Sequence, residues 1–281
     1  MRLFIRFNDK ILPAGEALIP VLSSAFLYGR GVFTTLGIYR GKPFLWTEHW
    51  SRLQSHAVKI GLDTTVWNEE SVKKALFELL SANQIIKGRA RISLFERRSD
   101  SIWPNAEKPV FNTDLLINTG ELREISPDGL KITISPFRIN SASPLAGLKS
   151  VNYLEKLLSL EHAKKQGFDE AICLNERGEI VSAVMSNIFW ITENKIFTPS
   201  LKTGALAGTM RQFVLQSAKK LNISVQQGEV SWSELEKADE IFLTSSGLGI
   251  INVQALDSTI YQSRGEAFLQ LRTAFCQAVA E

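Results

Sequence analysis

A lysine aimed into a cleft by a loop can hold a carbonyl compound covalently. Lys149 is placed for this in Gly147-Leu148-Lys149-Ser150-Val151-Asn152, just ahead of a helical run. Val151, Leu154 and Leu158 recur at spacings of three and four, which predicts a buried stripe, while Glu155, Lys156, Lys164 and Lys165 predict a solvated face. Taken alone, a lysine near a helix start is an ordinary surface residue. Three further stretches carry groups that could serve the same chemistry. His49, Arg52 and His56 lie at i, i+3 and i+7 of a second helical run, opposite its apolar stripe, where periodicity by itself describes a solvated face. Ala207 and Gly208 lead into Thr209 and Met210, and a helix starting there would turn backbone N–H groups and its positive end toward a phosphate. Thr244-Ser245-Ser246-Gly247 follows an apolar strand and reads either as a second wall for an anion or as a plain turn. The chain has no GxxxxGK[ST] stretch, and its GLG is too short for a dinucleotide fingerprint.

These groups need a frame of mixed α and β elements. Strands are predicted over 2–7 and within 31–46, the latter turning at Arg40-Gly41-Lys42-Pro43. A helix over 47–60 has Thr47 as its cap, Glu48 at its positive end, Trp50, Leu53, Ala57 and Ile60 as its apolar stripe and Gly61 as its stop. A helix over 69–83 and strands over 89–96 and 110–118 follow. Beyond Lys149 and its helix come strands over 170–174, 179–184, 187–192, 195–198 and 239–244, with helices over 209–221, 232–237 and from 264. The turn-rich, charged stretch 118–129 marks a boundary. The division expected is a smaller N-terminal α/β domain over 1–119, a linker over 120–128 and a larger C-terminal domain over 129–281 that carries Lys149.

Composition narrows the partners. The 281 residues, 44% hydrophobic and 22% charged, suit one large or two ordinary soluble domains. A net charge of +3 without a basic block gives no reason to expect nucleic acid and leaves anionic small molecules open. Cys173 and Cys276 lie far apart, outside any metal-ligand or CxxC spacing, and read as buried thiols in a reducing compartment. The start of the chain alternates like a strand, and no apolar run reaches membrane-spanning length, so a cytoplasmic protein without a membrane partner is expected.

The order of these segments resembles the class IV aminotransferases, the fold type IV family of pyridoxal phosphate enzymes. The resemblance rests on FLYGRGVFTTLGIYRGKPFLWTEHWSRL, GLKSVNYLEKLL, GFDEAICLNERGEIV, SNIFW, FTPSLKTGALAGTMRQF and ADEIFLTSSGLGIINV, and covers most of the chain. It implies a two-domain fold like that of D-amino acid aminotransferase, pyridoxal 5'-phosphate bound between the domains, and a homodimer. It implies Lys149 as the Schiff-base lysine and general acid–base, and Arg52 as the arginine gripping the cofactor phosphate. Backbone N–H groups at Thr209 and Met210 would complete the phosphate cup, with Ser246 a further hydroxyl contact. Leu206 would pack on the pyridine ring, and Tyr153 would partner the cofactor phenolate. Within the family, GVFTT, SNIFW and the MRQF segment are most similar to 4-amino-4-deoxychorismate lyase members, whereas aminotransferases more often carry glutamate where Thr34 stands here.

One position departs from the family pattern. Five residues before Asn187, where members hold a glutamate against the pyridine nitrogen, this chain has Ser182. A hydroxyl supports a protonated ring less than a carboxylate does, so transamination should suffer more than an elimination driven by aromatisation. Glu179 is expected on the opposite face of the same strand and so cannot substitute. The expected reaction is therefore a lyase acting on an anionic amine, forming 4-aminobenzoate and pyruvate in folate biosynthesis, with Arg97 and Arg98 as carboxylate partners and Thr34 as a further substrate-binding residue. A branched-chain or D-amino acid aminotransferase, and a cofactor-holding protein without catalysis, stay open.

Overall fold

Apolar runs bounded by turn formers pair at the start of the chain: Phe4–Phe7 (β1) with Lys10–Pro13 (β2), then Gly31–Tyr39 (β3) with Lys42–Pro43 (β4). Arg40 and Gly41 both take left-handed backbone, the conformation that matches the twist of a tight hairpin. Ser24–Tyr28 (α1), Trp46–Lys59 (α2) and Glu69–Ala82 (α3) are the α-helices here among the described residues. Gly88–Glu96 (β5) and Thr113–Gly120 (β6) complete a six-stranded sheet ordered β2-β1-β6-β5-β3-β4. Val32, Leu36, Ile38, Ala90, Ile92, Leu94, Leu115 and Ile117 share a core with Leu53 and Ala57 of α2 and Val72, Leu76 and Leu79 of α3. Phe33 and Arg91 point to the other face by strand alternation.

This is a computed structural model describing residues 4–97, 113–261 and 265–280. The chain divides into two compact units, Met1–Leu122 with Leu148–Asn152, and Arg123–Gly147 with Tyr153–Glu281. The segment holding Lys149, assigned from sequence to the C-terminal domain, groups with the first unit through its main chain. Phe33 N donates to Lys149 O at 2.9 Å, Val151 N donates to Gly31 O at 3.0 Å, and Ser150 bridges to Val32.

The second unit contains Leu130–Ile139 (β7), Leu154–Lys165 (α4), Glu170–Asn175 (β8), Ile180–Ala183 (β9), Asn187–Thr192 (β10) and Lys195–Pro199 (β11). Thr209–Lys220 (α5), Val225–Gly228 (β12), Glu240–Ser245 (β13), Gly249–Leu256 (β14), Thr259–Ile260 (β15) and Glu266–Ala280 (α6) follow. The strands run β12-β11-β10-β13-β14-β7-β8-β9, with β15 on β14. Residues 232–237 form a 3-10 helix. The main core gathers Ile132, Ile172, Ile188, Trp190, Ile241, Leu243 and Val253.

Three local expectations need correction. Thr47 does not cap α2. The helix begins one residue earlier at Trp46, whose buried indole donates to Glu69 Oε1 at 2.8 Å, and the cap is Leu45 in left-handed backbone with no side-chain bond. The leucines of α4 do not form a buried stripe: Leu154 is 68% exposed and Leu158 43%. That helix seats itself through smaller groups, Ser159 against Ser135 at 2.9 Å and Ala163 against Ala171, Cys173 and Val184. Cys276 is exposed, and only Cys173 is buried. No helix among the described residues is long and apolar enough to cross a membrane.

Candidate active site

In the first unit, α2 and the first half of β3 assemble a polar cluster beside the Lys149 backbone. His49 and His56, expected on a solvated face, are buried at 1% and 9% exposure. Thr34 is buried on the same side of the sheet. Arg52 can only donate, so Thr34 Oγ1 accepts from its Nη2 at 3.0 Å, and the same hydroxyl lies 2.6 Å from His49 Nδ1. One turn further along α2, His56 Nδ1 accepts the Lys149 backbone N–H at 3.1 Å. Burial, followed by the charges of Arg52 and Lys149, holds the His49 pKa well below its usual range. Burial and the charges of Arg52, Lys59 and Lys149 bring His56 down to about 4, so both rings are neutral at pH 7.

The half-buried Lys149 side chain extends over the outer face of β3. Its Nζ lies 4.6 Å from the Phe33 ring centroid, and the Arg91 guanidinium stacks on the same ring at 3.6 Å. One aromatic ring is thus shared by two cationic side chains. Arg91 escaped the sequence reading because it stands inside a strand with nothing but an alternation signal. Arg97 has another engagement: its guanidinium forks onto the buried Asp114 through two bonds, with Nε to Oδ2 at 3.0 Å. Arg98 lies outside the described residues.

In the second unit, the start of α5 offers backbone N–H groups that could receive a phosphate. Gly208 at the N-cap supplies no capping side chain, and no acidic residue stands in the first turn. Thr209 Oγ1 lies 3.2 Å from Ser246 Oγ, and Thr209 and Met210 are both buried. Asn187 Nδ2 donates to Leu206 O at 2.9 Å, which fixes the approach to the helix and leaves the Leu206 side chain half-buried. A Cβ at Gly208 would stand 1.9 Å from Asn187 Oδ1, so only glycine fits this approach. Thr244, the cross-strand partner of Asn187, keeps its Oγ1 buried without a hydrogen bond, as does Ser186 Oγ. The helix end and the paired Thr209 and Ser246 hydroxyls are groups that could receive a phosphorylated cofactor.

Ser182 lies on β9 at 5% exposure, opposite Cys173. The alternation argument for Glu179 does not survive, because a register shift between Cys173 and Leu174 puts Ile180 opposite Leu174 and Ala183 opposite Ile172, in one core. Glu179 is engaged for a different reason: its carboxylate accepts from Arg177 Nη2 at 2.8 Å and Asn175 Nδ2 at 2.7 Å. A buried carboxyl that sequence reading missed is Glu170. It is fully buried, its Oε1 accepts from Met185 N at 3.3 Å, and its Oε2 has no partner. Burial, only partly offset by the Met185 and Ala171 N–H groups, pushes it up to about 7. Tyr153 precedes α4 half-buried, with Lys156 Nζ 5.2 Å from its ring centroid.

The sequence profile described as amino-transferase class IV matches residues 31–256. Aminodeoxychorismate lyase of Bacillus subtilis (strain 168) is 28% identical over 96% of this chain and 93% of its own length. D-alanine aminotransferase of Listeria innocua serovar 6a is 25% identical, over 97% of this chain and 94% of its own. Among solved structures, a branched-chain aminotransferase from Thermoproteus uzoniensis superposes with a TM-score of 0.89 at 24% identity, covering 100% of this chain and 96% of that one.

Proposed function

Because the chain belongs to the class IV aminotransferase family, with its fold type IV architecture, and is a pyridoxal phosphate-dependent enzyme, we propose that it is a lyase converting 4-amino-4-deoxychorismate to 4-aminobenzoate and pyruvate. The observation that carries this reading is Ser182: it is a buried hydroxyl at the sequence position where the family resemblance implies a carboxylate for transamination, and Glu179 is tied to Arg177 and Asn175. The similarity to the Bacillus lyase points the same way.

Bound pyridoxal phosphate supplies an electron sink for the carbon that bears the substrate nitrogen. Lys149 would be the residue that holds it, and the Lys149 amine would serve as the base for the proton on that carbon. Arg52 would grip the phosphate. The Thr209 and Met210 N–H groups and the Ser246 hydroxyl would offer further phosphate donors, Leu206 would pack on the ring, Tyr153 would partner the phenolate and Ser182 would serve the ring nitrogen. Arg91 rather than Arg97 takes a substrate carboxylate, since it shares the Phe33 ring with Lys149 whereas Arg97 is committed to Asp114. Departure of the enolpyruvyl group completes the aromatic ring and drives the reaction with little help from the ring nitrogen.

We further infer a cytoplasmic homodimer. The exposed run Leu18, Ile19, Val21, Leu22, Phe26 and Leu27, and the outward leucines of α4, are apolar surface that a second copy would cover. Sedimentation across a concentration series measures this. The activity test supplies purified protein with 4-amino-4-deoxychorismate and, separately, with D-alanine or branched-chain amino acids plus 2-oxoglutarate. Release of 4-aminobenzoate is expected, and fast transamination without it would make the protein an aminotransferase.

A further inference from the structure

We propose that His56 is a positioning residue for Lys149: by accepting the lysine's backbone N–H it fastens the reacting residue to α2, the helix that also carries Arg52. The proposal rests on the reading of Lys149 as the cofactor lysine. The geometry gives the imidazole a single role. Lys149 N–H is the donor, so Nδ1 at 3.1 Å is the unprotonated acceptor and the ring's one proton is on Nε2. Such a bond exists only while the ring is neutral, and its surroundings keep it so: the ring is buried, with the cations Arg52, Lys59 and Lys149 around it. The second anchor of the segment is also a backbone bond, Phe33 N to Lys149 O. The two bonds therefore fix both polar groups of the lysine's main chain and leave its side chain to reach over Phe33.

The place of His56 in the helix sets the consequence. Arg52 and His56 are one turn apart, about 6 Å along the axis, so one rigid element holds the phosphate anchor and the lysine backbone in a common frame. Arg52 is itself oriented by Thr34, whose hydroxyl rests on His49. Misplacing a reacting amine by about 1 Å costs up to about a hundredfold in rate, and His56 guards against that displacement.

The test separates placement of Lys149 from binding of the cofactor. Pyridoxal phosphate reports covalent attachment through its absorbance, whereas pyridoxamine phosphate binds without reacting with a lysine. His56→Leu should slow attachment about tenfold while leaving pyridoxamine phosphate affinity within about twofold, because the phosphate seat is untouched. His56→Asn puts an amide oxygen where Nδ1 stands and should restore most of the rate. Attachment at the wild-type rate in His56→Leu, or equal losses in both measurements without rescue by Asn, would overturn the proposal. Should His56→Leu fail to fold, nitrogen NMR of the wild-type imidazole decides: Nδ1 unprotonated at pH 6 is expected, and a ring titrating near 6.5 would sink it. Absence of attachment at Lys149 in the wild type would instead refute the underlying reading.

Discussion

Lys149 and His56, 93 residues apart in sequence, are joined by a main-chain donor and a ring nitrogen and not by the lysine's own amine. Lys149→Ala therefore leaves the structural bonds of the segment in place. Its melting temperature should stay within a few degrees of wild type, roughly the effect of less than 1 kcal/mol, while covalent cofactor disappears. Borohydride reduction and peptide mapping of the wild type should place the label on Lys149, and a label on another lysine would remove it from the chemistry.

Arg52→Ala should weaken cofactor binding by about 2 to 4 kcal/mol, the size expected when a charge-assisted contact is lost and an anion is left short of a donor. Arg52→Lys should recover only part of this, since a point charge cannot reproduce the planar fork. Equilibrium titration of the apoprotein measures both, and unchanged retention in Arg52→Ala would move the phosphate elsewhere.

Gly208→Ala sets a methyl 1.9 Å from Asn187 Oδ1 and must displace that side chain or the start of α5. A stability loss of about 1 to 3 kcal/mol is expected by urea unfolding, together with weaker cofactor binding. Wild-type affinity in a destabilised Gly208→Ala would show that the start of α5 is not the phosphate seat.

Ser182→Glu should raise slow transamination and leave the lyase rate level or lower. A new carboxylate in a site this buried risks several kcal/mol if it lacks a partner, so cofactor content is measured before either rate. A variant that retains cofactor yet gains no transamination would mean Ser182 does not face the ring nitrogen.

Glu170 should leave a signature in stability against pH. Its folded pKa of about 7 lies above the unfolded carboxylate value, so between those two values the folded state holds more protons. Its contribution is complete below about 4.5 and is lost as pH rises through 7, a change on the order of 3 kcal/mol. His49 and His56, with lowered pKa values, act in the opposite sense: their contribution is present above about 6.5 and is lost as pH falls. Subtracting the Glu170→Gln curve from the wild type isolates the carboxyl. A flat difference between pH 4.5 and 7 would show that Glu170 ionises normally.

Much of this architecture is legible from local pattern. Strong periodicity marks α2 and α3, a continuous apolar run marks β10, and Gly61, with left-handed backbone, ends α2 as expected. The strand β7 is hidden by Pro136, which the structure accommodates within an irregularity in register between Ile134 and Arg138. The leucines of α4 mislead because periodicity reports an apolar face without saying what covers it. The clustering of Thr34, His49, Arg52 and His56 is invisible to spacing along α2 alone, since Thr34 comes from a strand and the Lys149 backbone from a segment far along the chain. Family resemblance supplied roles for Lys149 and Arg52 but none for the two histidines, whose partners exist only in the folded chain.

The return of Leu148–Asn152 to the first unit bears on how this protein can be recombined. A chimaera cut near residue 122 would take its lysine from one parent and its Phe33 and His56 from the other. Two parents that each work can thus yield a hybrid whose halves fold and whose reacting residue is mismatched to its supports. A swap that moves residues 148–152 together with 4–122 keeps those pairs together, although it needs two further junctions.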